Sequence, residues 1–146
     1  MSISGLEKLD VWRKAQSFSV RINKEILPKL PRDEKWSLAQ QIRRSSQSVP
    51  ANIAEGHGRF YFQENVRFCY IARGSLEEVL SQIDYAFKVN YLPKELYQPF
   101  IDEGEKLNRL INGYIAFLKR SKRGANEPGS RSSVREDQAD YNTDIR

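Results

Sequence analysis

Residues able to do acid–base or nucleophilic chemistry are sparse in this 146-residue chain. His57 is its one histidine and Cys69 its one cysteine. His57 with Glu55 is the only local acid–base candidate. It lies in a Gly-His-Gly turn that should leave it exposed, and no Ser-His-Asp, metal-ligand or phosphate-loop pattern accompanies it. An enzyme is therefore not expected. A lone cysteine cannot close an intrachain disulfide, and a zinc site would need carboxylates or a second subunit, so neither metal nor cofactor is expected. The chemistry in ample supply is cationic. Arg13, Lys14, Arg43, Arg44, Arg59, Arg67 and Arg73 are the candidate phosphate contacts, with Tyr61, Phe62 and Tyr70 as aromatic neighbours. Phosphate contacts combined with stacking suit RNA or single strands. Two competing readings stand beside this one. Phe62 and Tyr70 at helical spacing can be core or subunit-contact residues, and Glu77 and Glu78 can occupy Arg43 or Arg44 in ion pairs.

The charge distribution sharpens the cationic reading. Residues 1–123 hold 21 lysines and arginines against 14 carboxylates, a surplus of 7, whereas residues 124–146 hold 3 against 5. The basic charge thus belongs to the part of the chain that carries helical periodicity. Such a surplus favours a polyanionic partner through counterion release, with ordinary solubility charge as the alternative. No helix-turn-helix or zinc-finger pattern suggests sequence-specific duplex reading. No apolar run approaches the roughly 20 residues needed to span a bilayer, and MSISGLEKLD lacks a signal peptide's apolar core. A cytoplasmic protein without membrane contact is expected.

The elements that must position these cations are four helices. Asp10 is the expected N-cap of the first, whose stripe is Val11, Ala15, Phe18 and Ile22, with Trp12 and Ile26 beside it, ending near Leu27. Pro28 and Pro31 punctuate a rigid connection. Asp33 can cap the second helix, with Trp36 in its first turn and Ala39, Ile42, Ser46, Val49 and Ile53 forming a bundle seam. Pro50 lies within that seam, so a kink is expected over Ser46 to Pro50, with a break at Val49 as the alternative. Gly56 suits a left-handed helix end. The third helix runs from about Phe62 to Asn90, its inward set being Asn65, Phe68 or Cys69, Ala72, Ser75 or Leu76, Val79, Ile83 and Ala86. Pro93 fits the first turn of a fourth, with Leu96, Phe100, Leu107, Leu110 or Ile111, Tyr114 and Phe117 or Leu118 inward. From Gly124 the polar composition reads as a disordered acidic tail. The fold class is all-α: an antiparallel up-down-up-down four-helix bundle over 1–123 and a tail over 124–146.

A turn centred near Gly58 implies that residues of helices two and three whose numbers sum to about 117 lie at equal height. That register puts Arg44 near Arg73 and faces the serine-rich stretch of helix two with Ala72, Gly74 and Ser75. Gly74 inside a helix costs about 1 kcal/mol relative to alanine, which close backbone packing would explain.

The segments LDVWRKA, QIRRSSQSVPANIAEGHGR and IARGSLEEVLSQIDYA, followed by NYLP before the last helix, occur in an order and separation that resemble a known bacterial family. The resemblance, over about residues 6–120, is to the four-helix bundle proteins encoded within intervening sequences of 23S ribosomal RNA genes. More distantly, the chain is similar to the accessory variability determinant of diversity-generating retroelements. The resemblance implies a homopentamer of bundles, a role in RNA association and no catalysis. A scaffold for protein partners, with a reverse-transcriptase accessory as one form, is the alternative. Of the positions carried over, Ser48, Pro50, Asn52, Glu55, Gly56, Gly74, Ser75 and Glu78 are expected to serve the fold.

Overall fold

Val11, Ala15, Phe18 and Ile22 recur at helical spacing, and all four are buried against the rest of the chain. They drive α1 (Asp10–Arg21) in the structure, a computed structural model that describes residues 4–122. The expected C-terminal tail lies outside the described residues. Leu9, not Asp10, holds the N-cap position of α1. Asp10 sits in the first turn and pairs with Arg13 at 2.7 Å, where a negative charge favours the helix dipole. Past Arg21 the chain widens into a π turn over Ile22–Ile26 and tightens into a 3-10 turn over Leu27–Lys29. Ile22 and Ile26 stay fully buried through this change.

The second helix begins later than Asp33 suggests. A 3-10 turn over Arg32–Glu34 precedes α2 (Leu38–His57), and Trp36 lies 77% exposed before it. Glu34, one residue on from the expected cap, supplies the acceptors. Its Oε1 accepts from the Ser37 hydroxyl at 2.6 Å and the Leu38 N–H at 3.4 Å, and its Oε2 accepts from the Tyr91 hydroxyl at 2.7 Å. The longer side chain reaches both the helix start and the loop on the far side of the bundle end. Hydrogen bonds from Ser37 and then Tyr91 hold the Glu34 carboxyl below the usual carboxylate range, and the same contact pushes Tyr91 up to about 12.

Pro50 does not break α2, which is continuous to His57 with Val49, Pro50 and Ile53 all buried. The proline ring removes the N–H that would bond the Ser46 carbonyl. Nearby hydroxyls bond locally: Ser46 donates to the Arg43 carbonyl at 3.1 Å, and Ser45 Oγ lies 3.0 Å from the Gln41 carbonyl. Such back-bonding bends helices and is where an interior proline is best tolerated.

α3 (Phe62–Lys88) returns beside α2, but in a different register from the one expected. Ser48 meets Ser75 at 2.7 Å and Ser45 meets Gln82 at 2.7 Å, so facing numbers sum to 123 and 127. α3 starts at Phe62, as expected, but helix α2 continues past Gly56 to His57, which moves the turn's centre forward. Arg44 and Arg73 are therefore not neighbours. Asn52 donates to the Ser48 carbonyl at 2.8 Å and lies 2.9 Å from its hydroxyl, completing a polar seam along the α2–α3 contact. Asn65, Cys69, Ala72, Leu76, Val79, Ile83 and Ala86 form the buried stripe, which chooses Cys69 over Phe68 and Leu76 over Ser75.

At the end of α3, Asn90 takes a left-handed φ of 70°. Tyr91 N–H bonds the Ala86 carbonyl at 2.8 Å and Asn90 N–H bonds that of Phe87 at 2.9 Å. This is the bonding of a Schellman cap, with asparagine where glycine is usual. Pro93 is the N-cap of α4 (Lys94–Ser121), one residue before the first turn. Phe100, Gly104, Leu107, Ile111, Ile115 and Leu118 are its buried face, while Phe117 is 54% exposed. Tyr97 stacks on Phe87 with ring centroids 4.1 Å apart and donates to Asp84 at 2.6 Å. That hydrogen bond, with Lys88, keeps Asp84 below the usual carboxylate range.

The result is an antiparallel four-helix bundle in which α2 and α3 pack most intimately and, of the neighbouring pairs, α1 and α4 least. Two glycines take roles opposite to expectation. Gly56 is right-handed and inside α2, pressed against Asn65 and Phe68, whereas nothing lies within 4 Å of a Cβ placed on Gly74. Close approach, not backbone freedom, explains Gly56, and Gly74 makes no close approach to α2.

Candidate nucleic-acid interface

The structure divides the seven candidate cations by what already occupies them. Arg13 is committed to Asp10 and to the Glu7 carbonyl at 2.6 Å. Arg59 pairs with Glu55 at 2.7 Å and Glu64 at 3.8 Å and lies 5.1 Å over the Phe68 ring. Arg73 donates to Asn112 Oδ1 at 3.0 Å and lies 4.8 Å over Tyr70. The other four, Lys14, Arg43, Arg44 and Arg67, are exposed. None of these four makes a hydrogen bond or ion pair within reach among the described residues. The ion pairs expected between Arg43 or Arg44 and Glu77 or Glu78 are not formed there, and Glu78 accepts instead from Gln82 at 3.4 Å.

The expected aromatic neighbours are similarly engaged. Tyr70 is held between two cations, Arg73 on one side and Lys119, whose Nζ donates to its hydroxyl at 2.7 Å and lies 5.3 Å from the ring centroid. Phe62 is packed on the core. Tyr61 makes an edge contact with Phe60, centroids 5.1 Å apart, and Phe60 is the exposed member at 49%.

The seven are spread over α1, α2, the α2–α3 turn and α3. Lys14 lines the open groove of about 880 Å³ between α1 and α4. Its α1 wall is Lys14, Ser17 and Arg21, spaced three and four apart, so they share one stripe. Its α4 wall carries Asp102, Glu103, Lys106 and Arg109, with Pro99, Leu107 and Leu110 as the apolar part. Arg21 bonds Glu103 across the groove and Glu25 along α1, and it lies 4.8 Å over the Phe100 ring. Burial opposes its charge, but the bonds to Glu103 and Glu25 outweigh it and raise its pKa. Asp102 accepts from Gln98 at 3.0 Å. Lys14, Lys106 and Arg109 are left as cations without an ion-pair partner among the described residues.

Lys106 and Arg109 were not singled out by sequence reasoning. Their spacing of three on a helix was legible, but they lie near Asp102, Glu103 and Glu105, which masks them in any count of local charge. Only the fold brings Lys14 opposite them. Among the described residues no group of three or more His, Cys, Asp or Glu side chains is arranged to hold a metal ion, and no helix is long and apolar enough to cross a membrane.

An all-α bundle with a polar α2–α3 seam and a basic cleft between its outer helices defines the class. Residues 7–113 match the 23S rRNA-intervening sequence protein family, and the chain belongs to that family. It is also similar in fold to a solved structure from Bacteroides thetaiotaomicron VPI-5482, a protein of unknown function from the S23 ribosomal protein family. The likeness has a TM-score of 0.66 at 24% identity and covers 72% of this chain and 97% of that one. No match emerges among curated proteins.

Proposed function

We propose that this protein is a non-enzymatic, oligomeric RNA-binding accessory protein that holds phosphates in the α1–α4 groove. The observation that carries this reading is the placement of Lys14 on one wall and Lys106 and Arg109 on the other, all without carboxylate partners among the described residues. Cations on both walls of a concave site meet a phosphate backbone from two sides, which one convex helix face cannot do. The name of the family, which ties its members to 23S rRNA, supports RNA over other polyanions. Arg43, Arg44 and Arg67 are secondary contacts on other faces, of use when several copies line up along one strand. Arg13, Arg59 and Arg73 act mainly in the fold.

A fluorescent structured RNA tests this. Binding is expected at low salt and should weaken steeply as salt rises, with each lost phosphate contact lowering the log–log slope by about one. Joint replacement of Lys14, Lys106 and Arg109 by glutamate is expected to weaken binding about tenfold or more, equivalent to about 1.4 kcal/mol. Arg43→Ala with Arg44→Ala should have the smaller effect. No association at low salt sinks the reading, and unchanged binding by the groove variant sinks the site.

A second reading, a scaffold built by self-association or for a protein partner such as a reverse transcriptase, is supported by exposed apolar side chains on α3 and α4. Ile71 on α3 and Phe117 on α4 are 46% and 54% exposed. Gly74 and Gly113 leave open space next to them. The pentamer belongs to this reading too. Light scattering is expected to give an oligomer for the native chain and a smaller species for Ile71→Glu with Phe117→Glu; a native monomer would remove the assembly.

A further inference from the structure

We infer that the α1–α4 groove is a docking site for an acidic segment of this same chain, Glu136–Asp144, which lies beyond the described residues. That segment, EDQADYNTD, contains Glu136, Asp137, Asp140 and Asp144 and no lysine or arginine. Its carboxylates match Lys14, Lys106 and Arg109 in charge, and Tyr141 supplies an aromatic ring suited to the apolar floor of Leu107 and Leu110.

Reach permits the contact. From Lys122 back along α4 to Leu110 and Pro99 is about 18 to 35 Å at 1.5 Å per residue. The residues from Lys122 to Glu136 span at most about 46–50 Å when extended. The chain leaves α4 through Lys122, whose left-handed conformation (φ 50°, ψ 35°) ends the helix and turns the backbone off its axis. A segment on the same chain meets the groove as an intramolecular ligand, so weaker pairwise attractions suffice than for a free partner.

The groove is favoured over the other basic surfaces for stated reasons. Arg59 and Arg73 are engaged by their neighbours, and Arg43 and Arg44 stand on a helix that is not adjacent to α4 in the bundle. Within the groove, Asp102 repels the segment at the Pro99 end. The occupied part is therefore that between Lys14 and Arg109.

The docking itself does not depend on RNA. Its consequence, competition between the acidic segment and phosphates for the same cations, rests on the reading given above. The test uses the full chain with a spin label on Thr143→Cys and isotope-labelled amides. Cys69 is buried and its thiol is pushed up to about 12 by burial, so it stays unlabelled. Broadening confined to amides of Lys14–Arg21 and Leu107–Leu110 is expected. It should be abolished by Lys14→Glu with Lys106→Glu and Arg109→Glu, and by about 1 M salt, where the screening length falls to about 3 Å. Absent or evenly spread broadening overturns docking, as does broadening seen only between different chains in mixed samples. Neutralising the four carboxylates to their amides is expected to tighten RNA binding about fivefold. Unchanged affinity with groove-confined broadening overturns the competition alone, and failure of RNA to bind overturns the proposed function while the broadening still decides the docking.

Discussion

Replacing Phe18 by alanine is expected to destabilise the bundle by about 3–5 kcal/mol, the range for deleting a buried aromatic ring. Phe18 is 1% exposed and meets Phe100, also 1% exposed, with ring centroids 6.0 Å apart and planes tilted by 50°. This pair is the apolar closure of the otherwise loosest helix contact, and Arg21 roofs it from the groove side. A cavity there cannot be refilled cheaply, because Ala15 and Ile22, one turn before and after it, are themselves fully buried and fixed in the helical run. A small domain is stable by only about 5–15 kcal/mol, so the denaturant midpoint should fall by a large fraction while the slope is kept. Val20→Ala, at a 43% exposed position of the same helix, should change stability by about 0.5 kcal/mol at most. A loss below about 1 kcal/mol for Phe18→Ala would contradict this account of how α1 is held, given the usual cost of such cavities.

The core was legible because its signal is repetition. Val11, Ala15, Phe18 and Ile22, and Ala72 through Ala86 on α3, are buried as their spacing requires. Features that depend on one side chain's reach or on the exact place where a helix stops were not. Ser37 is the N-cap of α2 where Asp33 was expected, and Glu34 supplies acceptors there because it also meets Tyr91, distant in sequence. The α2–α3 register was misplaced because Gly56 resembles a helix stop by type, while its neighbours Asn65 and Phe68 require a glycine there for another reason. Gly104 and Ile115, both buried on α4, carry little sequence signal, since one has no side chain to count and the other sits beside Tyr114 in the pattern. For the candidate site the sequence shows which residues are cationic. Which are left unpaired, and which face each other across a groove, is set by tertiary contacts such as Arg59 with Glu64 and Arg73 with Asn112.

The two helical glycines of the family-like segments separate these effects, and opposite outcomes are expected from the same substitution. At Gly56 a Cβ would lie 2.6 Å from Asn65 Oδ1, 3.0 Å from the Asn65 carbonyl and 3.0 Å from Phe68 Cβ. Two of those three atoms are backbone or the first side-chain carbon, which cannot rotate away, so α2 and α3 must move apart. The third belongs to Asn65, which is 7% exposed, donates to the Tyr114 hydroxyl at 3.2 Å and accepts from Cys69 Sγ at 3.7 Å. Displacing it breaks a polar contact that joins α3 to α4. Overpacking costs about 1–3 kcal/mol, and Gly56 is too near the end of α2 to recover the full propensity gain of alanine, so Gly56→Ala should cost about 2 kcal/mol. At Gly74, exposed and with nothing within 4 Å, only the propensity and unfolded-state terms remain. Gly74→Ala should therefore stabilise the monomeric bundle by up to about 1 kcal/mol. Gly104→Ala falls between them, because the atoms a Cβ would meet, at 2.4, 3.0 and 3.1 Å, all belong to the Leu80 side chain, which has rotamers to yield. Denaturant midpoints measured at dilute protein check the order. If Gly74→Ala destabilises the chain while Gly56→Ala does not, α2 and α3 meet in the register first expected from the turn and not in the one set by Ser48 and Ser75.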